Sequence, residues 1–441
     1  MNALQVIPEL KALDSGANLL RIPNQQDVPL TARIRRLIDS APLARLKSIS
    51  QLGLVSLVYP GATHSRFEHS LGVYRNALLF LKRLSADTRF VETVSPQQAE
   101  EFIVAALLHD VGHWPYCHPI EDLCLAQIPD HEHLAAQKLQ QSDVPDILQS
   151  DFGFTVDAVC QLLANDGTTD AKLLVQSMLS GPVDVDKMDY LYRDSLHAGV
   201  PYGMHFDRGR LMGSLCVDQS GRALAITNKG CTAAELMVMA RYVMFSEVYW
   251  HHTVRSATAM LQRAFFLLQD RIDLPAMFQS TEPEFQNLMM QASEKSPAAT
   301  LVQGLFGEQR RLYKRAGQVT VLEDATLFQT ISRRPAGWLV DYSAELARRI
   351  SQQIGKELQD HQVLVDAPPP GLEVQFQMQV AMPNQRFQAL SDVSPVVRTL
   401  AQEQFDNYVK KVRVFVAPEF YDQTKNLNLS ELMTESVKSC D

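Results

Sequence analysis

No two cysteines in this chain form a C-x-x-C pair; Cys117, Cys124, Cys160, Cys216, Cys231 and Cys440 are scattered singly. That spacing argues against a zinc ribbon and a disulfide framework, both of which need thiols in a regular pattern. Reduced thiols and a cytoplasmic setting are expected. Long apolar runs are missing too: no window approaches the roughly 20 residues of a membrane-spanning helix. The opening "MNALQVIPELKALDSGANLL" lacks a basic region followed by an apolar core. Positive charge is scarce, since 41 Lys and Arg against 50 Asp and Glu leave a net charge of -9. Extended, sequence-blind binding to nucleic acid, which depends on a basic surface, is therefore not expected, and an anionic ligand needs a local basic pocket. Internal repeats and low-complexity tracts are likewise absent.

What the chain does have is 441 residues with 46% hydrophobic and 21% charged, ordinary globular usage. That length exceeds one typical core and predicts a large helical domain, residues 1–275, with a smaller α+β lobe over 276–441. Helical spacing at Ile34, Leu37 and Ile38 precedes a turn at Pro60-Gly61. In "HSRFEHSLGVYRNALLFLKRL", Leu71, Tyr74, Leu78 and Leu81 recur at three- and four-residue intervals and define a buried stripe, with His69 off it. The segment "AEEFIVAALLHDVGHWPY" is apolar almost all round, so it reads as a central helix that delivers His109 and Asp110 at its end. Further helices are expected at 131–142, 155–164, 170–180, 184–197 and 232–270, with a hairpin around Ser220-Gly221. "VLVDAPPPGLEVQFQMQVAM" and "YVKKVRVFVAPEF" read as strands, with a loop at Pro368-Pro369-Pro370-Gly371.

His69, the His109-Asp110 pair and Asp186 offer two imidazoles and two carboxylates, a donor set suited to a divalent transition metal. A lone histidine beside an apolar face is ordinarily structural. A His-Asp dyad ending a buried helix is costly unless paired or metal-bound. Arg66 lies one turn before His69 on the same helix face, and its planar fork of donors suits a phosphate. Lys187, Tyr190 and Asp194 share one helical face beside Asp186. A solvated charged face is the plain alternative there.

"HSRFEHSLGV", "LLHDVGHWPYCH" and "DVDKMDYLYRD", in that order and spacing, resemble the HD-domain phosphohydrolases, specifically their deoxynucleoside triphosphate triphosphohydrolase (dGTPase-like) branch. The resemblance covers roughly residues 30 to 260. It implies a mainly α HD core and hydrolysis of dNTPs to deoxynucleoside and triphosphate. It further implies metal ligands at His69, His109, Asp110 and Asp186, for Mn, Mg, Fe, Ni or Zn. Arg66, Lys187, His113 and His118 would face phosphates, and His131 would be the catalytic histidine; the His-Glu order favours it over His133. Tyr190 would border the sugar, Asp194 would meet the 3′-hydroxyl, and Gln51-Leu52 would meet that hydroxyl and crowd the 2′ position. Tyr249 and His251, in "VYWHHTV", would lie near sugar or phosphates. Nucleotide-activated members bind their activator through a segment matching "IDSAPLARLKSISQLG". Asp39 and Arg45 are retained there, but Ala44 and Lys47 replace a Gln and an Arg, which puts guanine-nucleotide activation in doubt. A homo-oligomer is expected. The alternatives are another HD phosphohydrolase, a nucleotidase or phosphodiesterase, and a non-catalytic nucleotide sensor on the same fold.

Overall fold

The computed structural model describes residues 3–440 apart from 17, 370–376, 384–385 and 401–408. Three helices form the centre. Ser65 starts the first, Arg66–Leu84, by accepting from the Glu68 amide. Leu71, Tyr74, Leu78 and Leu81 are buried as their spacing predicts, but so are Ser70, Val73, Asn76, Ala77 and Phe80 on the other faces. The reason is that the helix is sandwiched between two others, Pro96–Leu108 and Val185–Ala198. A Ser95/Gln98 capping box opens Pro96–Leu108, which is buried without interruption from Phe102 to Leu108. Asp184 caps Val185–Ala198, and Gly199 closes it in the left-handed conformation.

Gly72 faces the Asp189–Arg193 ion pair of Val185–Ala198. A Cβ there would fall 2.1 Å from an Asp189 carboxylate oxygen and 2.4 Å from the Arg193 guanidinium, so only glycine lets the two helices meet over that ion pair.

The expected helices at 131–142, 155–164 and 170–180 are present as His131–Gln140, Val156–Leu163 and Asp170–Leu179. The single helix expected over 232–270 is instead two. Cys231–Met244 widens into a π turn over Phe245–Tyr249, breaks at Trp250-His251, and resumes as His252–Leu268. Apolar periodicity runs straight through this break because both halves bury the same kind of stripe. At the end of the π turn the Tyr249 hydroxyl donates to Asp194 on Val185–Ala198.

The expected hairpin pairs Leu215–Val217 with Leu224–Thr227, with Gly221 at φ 79° in its turn. Gln379–Ala381 adds to Leu224–Thr227 in parallel and Phe387–Ala389 completes the sheet. A second sheet places Val412–Val416 between Lys314–Val319 and Val363–Asp366, all antiparallel. Ala336–Ile354 and Leu429–Cys440 supply apolar residues to the core beneath it. The strands expected in "VLVDAPPPGLEVQFQMQVAM" and "YVKKVRVFVAPEF" are thus found in part, while Pro370, Gly371 and the rest of 370–376 lie outside the described residues. Helices Glu282–Ser293 and Ala299–Phe306 pack on His252–Leu268 in a cluster that also takes in Leu54 and Trp114, beside the site described next. No described helix is long and apolar enough to cross a membrane.

Candidate metal centre and nucleotide cavity

His69, His109 and Asp110 present ligand atoms that all lie within 4.8 Å of one another. Asp186 completes the set, with Oδ1 3.0 Å from His69 Nε2 and 3.9 Å from His109 Nε2. The four residues named from the motifs therefore converge. Their outer partners decide the chemistry. His69 Nδ1 lies 2.9 Å from Asp189 Oδ2, and His109 Nδ1 3.0 Å from the Ala106 carbonyl. Both partners are acceptors, so each imidazole can keep a proton on Nδ1 and turn Nε2 inward, where His69 Nε2 bears a second proton toward Asp186 until a cation takes that proton's place. The two Nε2 atoms face each other at 3.2 Å, beside two carboxylates. One cation satisfies both nitrogens and both carboxylates, so these donors fit a divalent metal. Burial alone would lower the His69 pKa, yet hydrogen bonds to Asp186 and Asp189 lift it to about 10. The pocket demands positive charge at that point. Burial likewise opposes ionisation of Asp110, but His113, His109 and Arg66 hold it well below the usual carboxylate range.

Arg66 is not paired with Glu68; its Nη1 donates to Asp110 Oδ2 at 3.0 Å. Glu68 instead accepts from Arg193 at 2.6 Å and lies 2.9 Å from His197 Nε2. Arg193 is bidentate to Asp189 at 2.7 and 2.8 Å, so an ionic chain supports His69 from behind.

A second imidazole group adjoins the first. His113 Nδ1 is 3.3 Å from Asp110 Oδ1, and the His113 ring lies 4.0 Å from that of His131 and 5.0 Å from that of His118, between centroids. Glu121 receives both others: His131 Nδ1 at 3.0 Å and His118 Nδ1 at 3.4 Å. Burial would lower the His131 pKa, but the Glu121 hydrogen bond and charge raise it above the ordinary imidazole value. His113, buried and beside Arg66, is pushed well below it.

A cavity of about 510 Å³ opens next to these groups, a volume in the range of small-molecule sites. Gln51, Leu52, Arg66, His118, Asp186, Lys187, Tyr190, Asp194 and Tyr249 all line it. Tyr249 OH donates to Asp194 Oδ2 at 2.7 Å, and His64 Nε2 lies 2.9 Å from Asp194 Oδ1. Lys187 Nζ donates to Asp184 at 2.6 Å. Gln51 Oε1 and Arg66 Nε are buried without a protein partner. His113, His131 and His251 do not line the cavity; the first two stand behind His118, and His251 Nδ1 accepts from the Thr253 amide at the start of His252–Leu268. Arg45 is also committed elsewhere, donating to the carbonyls of Val111, His113 and Ser280. Lys47 lies over the Phe67 ring.

Sequence reasoning passed over Asp184, Asp189, His64, Glu121 and the cavity-lining Trp250 and Arg255. Asp189 and Arg193 carried a signal: an acid and an arginine four apart on a face that is otherwise buried. The others are partners across long sequence separations and leave no local mark.

A helical core carrying this H…HD…D constellation defines a class. An HD domain family model matches residues 66–194, and a model of the HD associated region matches residues 206–437. The chain belongs to the HD-domain phosphohydrolase superfamily, and its likeness is to the dGTPase-like branch. An uncharacterised protein of Methanocaldococcus jannaschii is 36% identical over 248 residues, 56% of this chain and 49% of the relative. A deoxynucleoside triphosphate triphosphohydrolase SAMHD1 homolog of Dictyostelium discoideum is 28% identical, over 55% of this chain and 48% of the relative. SAMHD1 of Danio rerio is 23% identical, over 74% and 58%. The chain spans about half the length of the curated relatives it matches. Among solved structures, a hypothetical protein from Aquifex aeolicus matches with TM-score 0.69 at 22% identity, over 92% of this chain and 98% of its own. A phosphohydrolase from Bacteroides thetaiotaomicron matches with TM-score 0.64 at 22% identity, over 90% and 99%. Those two likenesses concern the fold alone.

Proposed function

We propose that this protein is a metal-dependent phosphohydrolase that cleaves deoxynucleoside triphosphates to deoxynucleoside and triphosphate. The observation that carries this reading is the cavity's lining: Gln51 and Arg66, with unpartnered Oε1 and Nε, line it together with Lys187, Tyr190, Asp194 and Tyr249, next to the His69–His109–Asp110–Asp186 donors. Relatives named as dNTP triphosphohydrolases support the substrate class. A divalent ion held by those four residues would supply a polarised phosphoryl oxygen or a water of lowered pKa, and the mixed nitrogen and oxygen donors suit Mn, Mg, Fe, Ni or Zn.

The chain's own groups do the rest. Arg66 and Lys187 offset charge on the phosphates, and both are held by carboxylates that orient them, Asp110 and Asp184. Gln51 and Asp194 accept from the sugar 3′-hydroxyl, and Leu52 fills the space a 2′-hydroxyl would need. His131, kept protonated by Glu121, donates its proton to the departing 5′-oxygen as the bond to the α-phosphorus breaks and a water oxygen takes its place. Arg45 is already bound to backbone carbonyls, so an activating nucleotide would have to compete for it. Assembly as a homo-oligomer belongs to the same reading.

The test incubates purified protein, with Mn²⁺ or Mg²⁺, against each dNTP, the rNTPs, the dNMPs and an equimolar dNTP mixture, with products separated by anion exchange. Deoxynucleoside plus intact triphosphate is expected, and turnover in the mixture alone would reveal an activator. Orthophosphate from monophosphates would instead identify another HD phosphohydrolase. Bound nucleotide without any product would leave a sensor.

A further inference from the structure

Two walls of the cavity come from segments distant in sequence, and one carboxylate joins them. Ser50 leads directly into Gln51-Leu52; its amide and its hydroxyl both donate to Glu282 Oε2, at 2.9 and 2.5 Å. In a second segment that lines the cavity, Tyr116 leads into Cys117 and His118, and its hydroxyl donates to Glu282 Oε1 at 2.9 Å. Glu282 stands in the first turn of Glu282–Ser293, a helix set by its own capping box, and Gln286 from the next turn donates to the Tyr116 oxygen at 2.9 Å.

Both walls are in conformations that need holding. Tyr116 has φ 56°, in the left-handed region that a side chain rarely adopts. Gly53 has φ 50°, and a Cβ on it would sit 3.1 Å from the Tyr116 ring, so the two walls touch at a glycine. The Ser50 hydroxyl, besides donating to Glu282, accepts from the Gly53 amide at 3.1 Å. Release of the carboxylate therefore removes the tie common to both segments, leaving the Gln51 amide on the His64 carbonyl and Gln286 on Tyr116 among their remaining anchors.

We propose that Glu282 is a positioning residue that clamps these walls and thereby sets discrimination between deoxyribose and ribose. The proposal rests on the nucleotide reading above. It extends the site into the helices beyond residue 275 and gives Glu282, which touches no substrate, control over the spacing at Leu52.

The experiment compares the full chain with Glu282→Ala, Glu282→Gln and Ser50→Ala. It measures kcat/KM and equilibrium binding for dATP and ATP with Mn²⁺, alongside thermal midpoint and metal content. Glu282→Ala is expected to narrow the dATP-to-ATP ratio by about tenfold while metal content stays at one equivalent. Glu282→Gln, which keeps only one acceptor oxygen, should narrow it less, and Ser50→Ala should reproduce part of the loss with the thermal midpoint unchanged. An unaltered ratio in Glu282→Ala overturns the clamp; should that variant fail to fold, an unaltered ratio in Ser50→Ala does so. A wild-type chain that binds dATP over ATP without splitting either would sink the proposed activity, and the binding ratios would still decide the clamp. A wild-type chain that shows no preference for dATP would overturn it outright.

Discussion

Two histidine clusters lie side by side in this molecule, bridged by Asp110, and they differ in the partners and the burial of their imidazoles. In the first, His69 and His109 each place Nδ1 against an acceptor, Asp189 or the Ala106 carbonyl, so their Nε2 atoms turn inward and meet at 3.2 Å beside Asp110 and Asp186. In the second, His118 and His131 share Glu121, and His131 is raised in pKa as a result. Burial differs as well: the His69 side chain is 1% exposed and that of His118 58%. We propose that the buried imidazoles beside Asp110 and Asp186 serve as metal ligands, and that the more exposed His131, whose imidazolium Glu121 stabilises, serves as the proton donor.

Mutations can break this contrast, and the largest effect is expected at the residue both clusters share. Asp110→Ala should abolish metal content, read by plasma mass spectrometry, and cut turnover at least about 10³-fold. Full metal content with full activity would refute the centre. His131→Ala should keep the metal and lower kcat roughly 10² to 10⁴-fold, the usual weight of general acid catalysis. Loss of metal in that variant would mean the second cluster is a ligand set too. Asp189→Asn keeps shape but removes the charge that holds the His69 ring, so metal affinity should weaken about 10 to 100-fold in a chelator competition, with the helical circular dichroism intact.

The smallest effect should come from Glu121→Gln. Because Glu121 raises the His131 pKa, the protonated donor survives to higher pH in the native chain; without it, the alkaline limb of kcat should move to lower pH. The linked stability has the same sign. It is present below the unfolded imidazole value near ~6.5 and lost as pH rises through the raised folded value. An alkaline limb that stays in place would assign the proton to another group.

The candidate ligands were legible because three motifs, in their order and spacing, resemble the HD-domain phosphohydrolases; the His109-Asp110 dyad at the end of an apolar helix pointed to a metal or a buried partner without choosing between them. Hydrophobic spacing likewise marked the central helices Arg66–Leu84 and Pro96–Leu108. The break at Trp250-His251 was not legible: periodicity reports burial, and burial is the same on both sides of it. His251 shows the same limit. Beside Tyr249 in sequence, it points away from the cavity because the chain turns between them.

The sequence by itself determined which groups were available and which helices would carry them, since a residue's chemistry and its helical phase are local properties. Only the tertiary structure decided what each imidazole does. Asp189 lies 120 positions from His69, and Glu282 lies 232 positions from Ser50. Protonation, orientation and wall spacing are set by such partners, whose influence falls off with distance in space and not along the chain.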